Sequence, residues 1–205
     1  MEDEENIIKV TLLGNAGVGK TCIIIRYALN EFNSYIKPSL ICNFYQKILN
    51  IDGKKMQINL WDTVGQEQYR SLGRLFYQDS HIVVFVYDIT NRESFLDIKN
   101  TWYNDLKTYG EKYIITALVG NKSDCYEEEQ VDENEAREYA KQIGAHYFSV
   151  SAKTRNNIDL LFMTLVKEYL GPEFSKKLKK IKEEKVESVK MSNKMNKKKK
   201  HRCCM

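Results

Sequence analysis

The stretch "GNAGVGKT" (14–21), which directly follows the apolar run "IIKVTLL" (7–13), constrains the fold of this chain more than any other feature. Four residues separate its first glycine, Gly14, from Gly19-Lys20-Thr21. Where such a turn joins a buried strand to a helix, its backbone N–H groups can surround a phosphate, and the helix N-terminus favours the anion. The chain must therefore place a strand, a tight turn and a helix together, which is the beginning of an α/β fold.

The same loop predicts how a nucleotide is held. Lys20 is expected to reach the β and γ phosphates, and the hydroxyl of Thr21 is expected to bind Mg²⁺. The predicted contacts form one continuous run of residues: Asn15, Ala16, Gly17, Val18, Gly19, Lys20, Thr21 and Cys22.

Apolar runs and helical patterns alternate along the rest of the chain. Asp52-Gly53 between two strand-like runs is a strong hairpin signal. Further strands are expected at 81–88, 113–120 and 145–150, and helices near 20–30, 92–109, 132–143 and 156–169. This order predicts an α/β fold with a six-stranded, mostly parallel sheet, one antiparallel edge strand and flanking helices.

Length and charge divide the chain into a domain and a tail. Of 205 residues, 7–170 are expected to form the folded domain, after an extension at 1–6 and before a basic tail at 171–205. From Lys176 to Arg202 there are 13 Lys/Arg and 3 Glu, a net +10; the remaining 19 basic and 25 acidic residues give −6. No apolar run reaches membrane-spanning length, and the N-terminus is acidic. Five cysteines, an odd number without metal-ligand spacing, are typical of a reduced cytosolic protein.

A second motif, "DTVG" (62–65), ends the next predicted parallel strand, 41 residues after Thr21. Asp62 is suited to hold Mg²⁺, and Gly65 can present its N–H to the γ-phosphate without a side chain in the way. Gln66 is expected to orient the attacking water, so the predicted catalytic groups are Lys20, Gly65 and Gln66.

Two further segments select the base. "NKSD" supplies Asn121, Lys122 and Asp124 just after a strand, and "SAK" supplies Ser151, Ala152 and Lys153 after the last strand. A carboxylate at Asp124 can accept from both N1–H and the exocyclic amine of guanine, a donor pair that adenine lacks. The four segments predict binding of GTP and GDP. The alternative is an ATP-using P-loop kinase, and the last two segments argue against it.

These residues resemble those of the Ras-like small GTPases over about residues 6–170, and most closely the Rab family in "INLWD", "QYRSLG", "FYQDS" and "FVYDIT". The resemblance implies a Ras-like P-loop G domain in a monomeric Mg²⁺-dependent GTPase that recruits effectors in vesicle traffic. It also implies an aromatic at Phe32 stacked on guanine and an effector surface formed by Ile41, Phe44, Trp61 and Phe76. The implied partners are an exchange factor, a GTPase-activating protein, a Rab escort protein and a GDP-dissociation inhibitor.

The chain ends "KKKKHRCCM", where Cys203 and Cys204 look like the doubly geranylgeranylated ends of Rabs. Two lipids, or one beside a basic patch, give stable anchoring. The resemblance therefore implies a location on the cytoplasmic face of intracellular membranes, together with a cytosolic pool. The segments "LNIDGKK" and "GAHYFSVSAKT" most resemble those of the endosomal Rabs. The alternative is an unmodified tail that binds nucleic acid, but no aromatic residue follows Phe174 to stack on bases.

Several positions depart from the family pattern. Ser39 replaces a threonine but keeps the hydroxyl for Mg²⁺ and the N–H for the nucleotide, and Ile41 replaces a glycine. Ala16 and Val64 add side-chain bulk beside the γ-phosphate, and no arginine is identifiable as an internal finger, so slow intrinsic hydrolysis is expected. Two alternatives stay open: Val64 points into a roomy pocket and changes nothing, or the chain is a barely hydrolytic scaffold locked with GTP.

Overall fold

The computed structural model describes residues 7–34, 43–51, 54–63, 77–110 and 113–172. Its strands are β1 (Ile7–Leu13), β2 (Asn43–Ile51), β3 (Lys54–Asp62), β4 (Ile82–Asp88), β5 (Ile115–Asn121) and β6 (His146–Ser149). Its α-helices are α1 (Lys20–Leu29), α2 (Arg92–Asp97), α3 (Tyr103–Tyr109), α4 (Glu133–Gln142) and α5 (Ile158–Leu170). A π-helical turn (Ile98–Trp102) joins α2 to α3, and a 3₁₀ helix (Ser123–Glu128) follows β5.

The strands form one six-stranded sheet in the order β2-β3-β1-β4-β5-β6. β2 runs antiparallel to β3 at the edge, with Phe44 opposite Trp61, and all other pairings are parallel. The predicted fold class is therefore confirmed, including its single antiparallel edge strand. The turn at Asp52-Gly53 lies outside the described residues.

The centre of the sheet is covered on both faces, as its sequence pattern predicts. All seven residues of β4 are buried, which explains why "IVVFVYD" shows no alternation of apolar and polar side chains. Phe85 of β4 belongs to a buried cluster with Phe95, Ile98 and Trp102 from the segment that contains α2 and the π-helical turn.

Local capping sets the beginnings of two helices. The side chain of Asn91 accepts a hydrogen bond from the backbone N–H of Ser94 at the start of α2. Asp132 does the same for Glu135 at the start of α4. Both are residue types that satisfy the free N–H groups of a first helical turn, so these boundaries follow from the sequence.

The helix expected at 92–109 is interrupted. The backbone N–H of Tyr103 donates to the carbonyl of Ile98, five residues earlier, which is the hydrogen bond of a π-helix. Residues 92–109 are therefore helical, as the sequence pattern predicts, but the turn at Ile98–Trp102 is π-helical and was not predicted.

The chain divides into two compact units, Met1–Val166 and Lys167–Met205. Within the described residues, every helix is too short or too polar to cross a bilayer.

Candidate functional site

The predicted site residues from four segments lie at one edge of the sheet. β1 leads into the loop at 14–19, β3 ends at Asp62, β5 ends at Asn121, and Ser151 follows β6. Because these strands are parallel, their carboxyl ends meet at the same edge, which is where ligands bind in open α/β sheets.

Two glycines of the first loop allow its backbone to lie close to neighbouring segments. A Cβ on Gly14 would lie 2.1 Å from the carbonyl oxygen of Val86, and one on Gly19 would lie 2.2 Å from Nδ2 of Asn121. Both also have positive φ angles, 146° and 95°. Ala16 and Gly17 are exposed at the tip of the loop, whereas Val18 is buried and Cys22 is half-buried on α1.

Lys20 is held inside this loop. Its side chain is 5% exposed, and Nζ donates to the carbonyl oxygens of Gly14 and Asn15, each at 2.8 Å. Burial lowers the pKa of Lys20 to about 8, while the Asp62 carboxylate acts in the opposite direction. A phosphate beside Nζ would stabilise the charged form, so the arrangement suits an anion with several oxygens.

Thr21 and Asp62 converge as the spacing of their motifs predicts. The Thr21 hydroxyl donates to Oδ2 of the fully buried Asp62 at 2.7 Å. Hydroxyl and carboxylate oxygens are ligands that Mg²⁺ prefers, and Mg²⁺ usually takes only one or two protein carboxylates together with phosphates and waters. Among the described residues there is no cluster of three or more His, Cys, Asp or Glu side chains. When bound, Mg²⁺ would neutralise charge on the phosphates.

Asn121, at the end of β5, connects two other loops through its side chain. Its side chain is 2% exposed; Nδ2 donates to the carbonyl of Val18 at 2.8 Å, and Oδ1 accepts from the backbone N–H of Ala152 at 3.2 Å. The loop at 14–19, called the phosphate loop for its predicted role, and the "SAK" segment are therefore fixed relative to each other through one buried amide.

Asp124 is held as an acceptor. Its Oδ1 accepts from the Ser151 hydroxyl at 2.6 Å, and Nζ of Lys153 lies 3.6 Å from Oδ2. Burial alone would raise the pKa of this carboxyl, but the Ser151 hydrogen bond, a backbone hydrogen bond and Lys153 together hold the pKa below its usual range. An ionised carboxylate can only accept hydrogen bonds, as recognition of the two guanine donors requires.

Lys122 and Phe32 lie against residues that the sequence motifs did not single out. Lys122 has a φ of 65°, and its Nζ is 2.5 Å from Oδ2 of Asp88 at the end of β4. The guanidinium of Arg26 lies over the Phe32 ring, 5.6 Å from its centroid. Arg26 also donates to the carbonyl oxygens of Ala152 and Lys153, at 2.8 and 3.0 Å.

Two residues of the predicted effector surface lie together on the β2–β3 hairpin. Phe44, 45% exposed, packs edge to face with Trp61 at a centroid distance of 5.2 Å. The ammonium of Lys9 lies 5.0 Å from the centre of the Trp61 ring. The remaining predicted residues lie outside the described part of the chain: Ser39, Ile41, Val64, Gly65, Gln66, Phe76, Cys203 and Cys204.

Sequence reasoning missed four residues that support the site. Arg26 and Asp88 contact the predicted base-binding segments, while Asp97 and Trp102 contact the side chain of Asn15. The position of Asp88 at a strand end was an available signal, because acidic side chains at this edge face the ligand site. The other three lie within helical patterns, where charged and aromatic side chains carry no distinct signal.

Comparison with known proteins agrees with the fold and with these motifs. A model of the Ras family matches residues 9–171. Ras-related protein Rab-21 is 41% identical over 79% of this chain in both Geodia cydonium and Homo sapiens, covering 70% and 72% of those proteins. Ras-related protein Rab-26 of Rattus norvegicus is 37% identical over 78% of this chain and 62% of its own length. The chain therefore belongs to the Ras family and within it to the Rab small GTPases, which bind GTP, hydrolyse it to GDP and act as switches in membrane trafficking.

Proposed function

We propose that this chain binds Mg²⁺ with GTP or GDP at the carboxyl edge of its sheet and cycles between two states that differ in effector binding. The observation that carries this proposal is the set of contacts around Asp124, Ser151 and Asn121. The buried side-chain amide of Asn121 joins the phosphate loop to the "SAK" segment, and the Ser151 hydroxyl holds the Asp124 carboxylate in place as a hydrogen-bond acceptor. A hydrogen-bonded site of this kind discriminates strongly between bases.

Each segment has a distinct role in this proposal. The loop residues 15–22 surround the phosphates, and Lys20 stabilises charge on the transferred group. Thr21, Ser39 and Asp62 hold Mg²⁺. Gly65 and Gln66 act on the γ-phosphate and the attacking water, as their place after Asp62 predicts.

For the base, Asn121, Lys122 and Asp124 act with Ser151, Ala152 and Lys153, and Phe32 stacks on guanine. Ile41, Phe44, Trp61 and Phe76 form the effector surface. The packing of Phe44 on Trp61 supports a shared apolar contact there, because partly exposed aromatic pairs are favoured anchors in interfaces.

We further propose that intrinsic hydrolysis is slow. Val64 adds bulk beside Gly65, and Ala16 adds a side chain at the exposed tip of the phosphate loop. An activating protein would then supply positive charge to the transition state. The second candidate is a scaffold that keeps GTP; Val64 and Ile41 favour it, whereas Lys20, Thr21, Asp62 and Gln66 favour the switch.

The tail gives the proposed location. Cys203 and Cys204, next to a run of lysines, are proposed to carry prenyl groups that anchor the chain on the cytoplasmic face of intracellular membranes, with endosomes as the proposed compartment. An exchange factor, an activating protein, an escort protein and a GDP-dissociation inhibitor are the proposed regulators.

A change of a single functional group tests the base assignment. Xanthine differs from guanine by a carbonyl at C2 in place of the amine, so Asp124→Asn exchanges an acceptor for the donor that xanthine requires. Displacement of fluorescent GDP by GDP, ADP and xanthosine diphosphate is measured on the full chain. We expect wild type to prefer GDP over ADP by roughly ten thousandfold, and Asp124→Asn to prefer the xanthine nucleotide.

The matched control is Asp79→Asn, the same substitution at an exposed residue before β4, at the opposite edge of the sheet. Its φ of 57° is one that asparagine tolerates, so the control should keep the wild-type preference. Equal displacement of fluorescent GDP by ADP and GDP in wild type would overturn the proposal.

A further inference from the structure

The side chain of Asn15 in the phosphate loop is held from two sides by the helical segment that follows β4. Its Nδ2 donates to Oδ2 of Asp97 at 2.5 Å, and its Oδ1 accepts from the indole Nε1 of Trp102 at 3.0 Å. These contacts cross 82 and 87 residues of sequence, so they join the loop to a separate part of the domain.

The three side chains are chemically matched. An indole N–H can only donate and a carboxylate can only accept, whereas a primary amide offers one donor group and one acceptor in a single plane. Asn15 therefore has one orientation that satisfies both partners. Trp102 is 4% exposed, so without Asn15 its N–H would lose a partner inside the protein.

The π-helical turn explains why both partners reach the same residue. Asp97 and Trp102 are five positions apart, and in an α-helix such residues point about 140° away from each other. The hydrogen bond from Tyr103 to Ile98 widens the turn at this place, which brings positions five apart toward one face. Isolated π-helical turns within α-helices are frequent at functional sites.

We propose that Asp97 and Trp102, aligned by the π-helical turn, are positioning residues that hold the phosphate loop through Asn15 and set the rate of nucleotide release. The backbone carbonyl of Asn15 also accepts a hydrogen bond from Lys20, so the held residue is directly connected to the phosphate-binding lysine. This inference rests on the proposed function, because it concerns the same nucleotide site.

The loop must keep its N–H groups aimed at the phosphates for as long as the nucleotide is bound. A loop already held in one conformation loses less entropy on binding, and it opens less often once the nucleotide is in place. Loss of either contact to Asn15 should therefore increase the dissociation rate, and it should leave the choice of base unchanged because Asp124 is untouched.

A charge exchange between Asn15 and Asp97 tests this role. The full chain is loaded with fluorescent GDP and Mg²⁺, and release is followed after addition of excess unlabelled GDP. Asn15→Asp places two carboxylates against each other, and we expect release about tenfold faster than in wild type. Asp97→Asn leaves a neutral hydrogen bond in place, so about threefold faster release is expected.

The double variant Asn15→Asp with Asp97→Asn carries the decisive result. The carboxylate introduced at position 15 can accept from both Trp102 and the new amide at position 97, so release should return to within about twofold of wild type. A merely structural effect of two substitutions would add rather than cancel. Release by the double variant that is as fast as in Asn15→Asp, or faster, would overturn the inference.

Lys99→Ala is the matched control on the same turn. Lys99 donates to Glu135 at 3.0 Å and lies over the Phe95 ring, so its loss should lower the melting temperature without changing release. If Asn15→Asp fails to fold, Trp102→Phe replaces it: this variant keeps an aromatic ring but removes the N–H, and about fivefold faster release is expected.

Two outcomes separate this inference from the proposed function. If wild type retains fluorescent GDP while Asn15→Asp and Trp102→Phe release it at the wild-type rate, only the role of the π-helical turn is wrong. If wild type does not retain fluorescent GDP at all, the proposed function fails and the inference fails with it.

Discussion

At the scale of single residues, the proposed base site depends on opposing influences on the ionisation of Asp124. Burial acts to raise the pKa of its carboxyl, and the hydrogen bond from Ser151 is the largest opposing contribution. The folded-state pKa is below the usual value, so the carboxylate stays ionised as the pH falls through mildly acidic values. Guanine recognition in wild type should therefore be insensitive to pH between about 5 and 8.

Ser151→Ala should make guanine binding sensitive to acid. The Ser151 hydrogen bond holds the Asp124 pKa down, so its loss should raise the pKa of this carboxyl. Because the protonated carboxyl accepts poorly, GDP affinity at about pH 5 should fall several-fold relative to about pH 7.5.

Isothermal titration of GDP at the two pH values measures this effect, with Ser149→Ala as the control two residues earlier. A flat pH profile for Ser151→Ala would show that Ser151 does not hold the ionised form of Asp124.

The residue scale also shows what motif spacing can predict. The expected meeting of Thr21 and Asp62 is present at 2.7 Å. Thr21 lies in the first turn of α1, which follows β1, and Asp62 ends β3, which pairs in parallel with β1. The support from Arg26 and Trp102 could not be predicted, since their partners are a backbone carbonyl and an amide that lie 126 and 87 residues away along the chain. Such contacts depend on tertiary packing and have no local sequence pattern.

At the scale of elements, periodicity predicted the strands and the helices, but it did not predict the π-helical turn at Ile98–Trp102. Continuous apolar runs identified the buried strands, because each is covered on both faces. In the segment after β4, the buried residues Phe95, Ile98, Trp102 and Leu106 are spaced by three, four and four positions, which is α-helical spacing. The π-helical turn therefore leaves no trace in the apolar pattern, and its contacts with the phosphate loop became visible only in the structure.

At the scale of the whole molecule, positive charge is concentrated in the tail, whereas the rest of the chain is acidic. The net charge of +10 from Lys176 to Arg202 contrasts with −6 for the rest of the chain, so we expect the tail to supply the attraction to an anionic membrane surface. Each lysine near such a surface contributes roughly 1 kcal/mol, which supports a lipid anchor but does not replace one.

Replacement of both Cys203 and Cys204 by serine should release the full-length chain from membranes into the cytosol. One lipid gives only marginal binding, so each single replacement should give a partial shift if both cysteines are modified. Fractionation and fluorescence localisation of tagged wild type and variants measure this. If the double variant stays on the same membranes as wild type, the lipid-anchor proposal is wrong.

The most direct test of the central claim is a single-turnover assay of the full chain loaded with GTP and Mg²⁺, with the bound nucleotide identified over time. We predict slow conversion to GDP by wild type, conversion about ten- to hundredfold faster by Val64→Ala, and none by Gln66→Leu. Equal rates for wild type and Val64→Ala would remove the steric explanation for slow hydrolysis. Persistent GTP in both would contradict the switch itself and favour the locked scaffold.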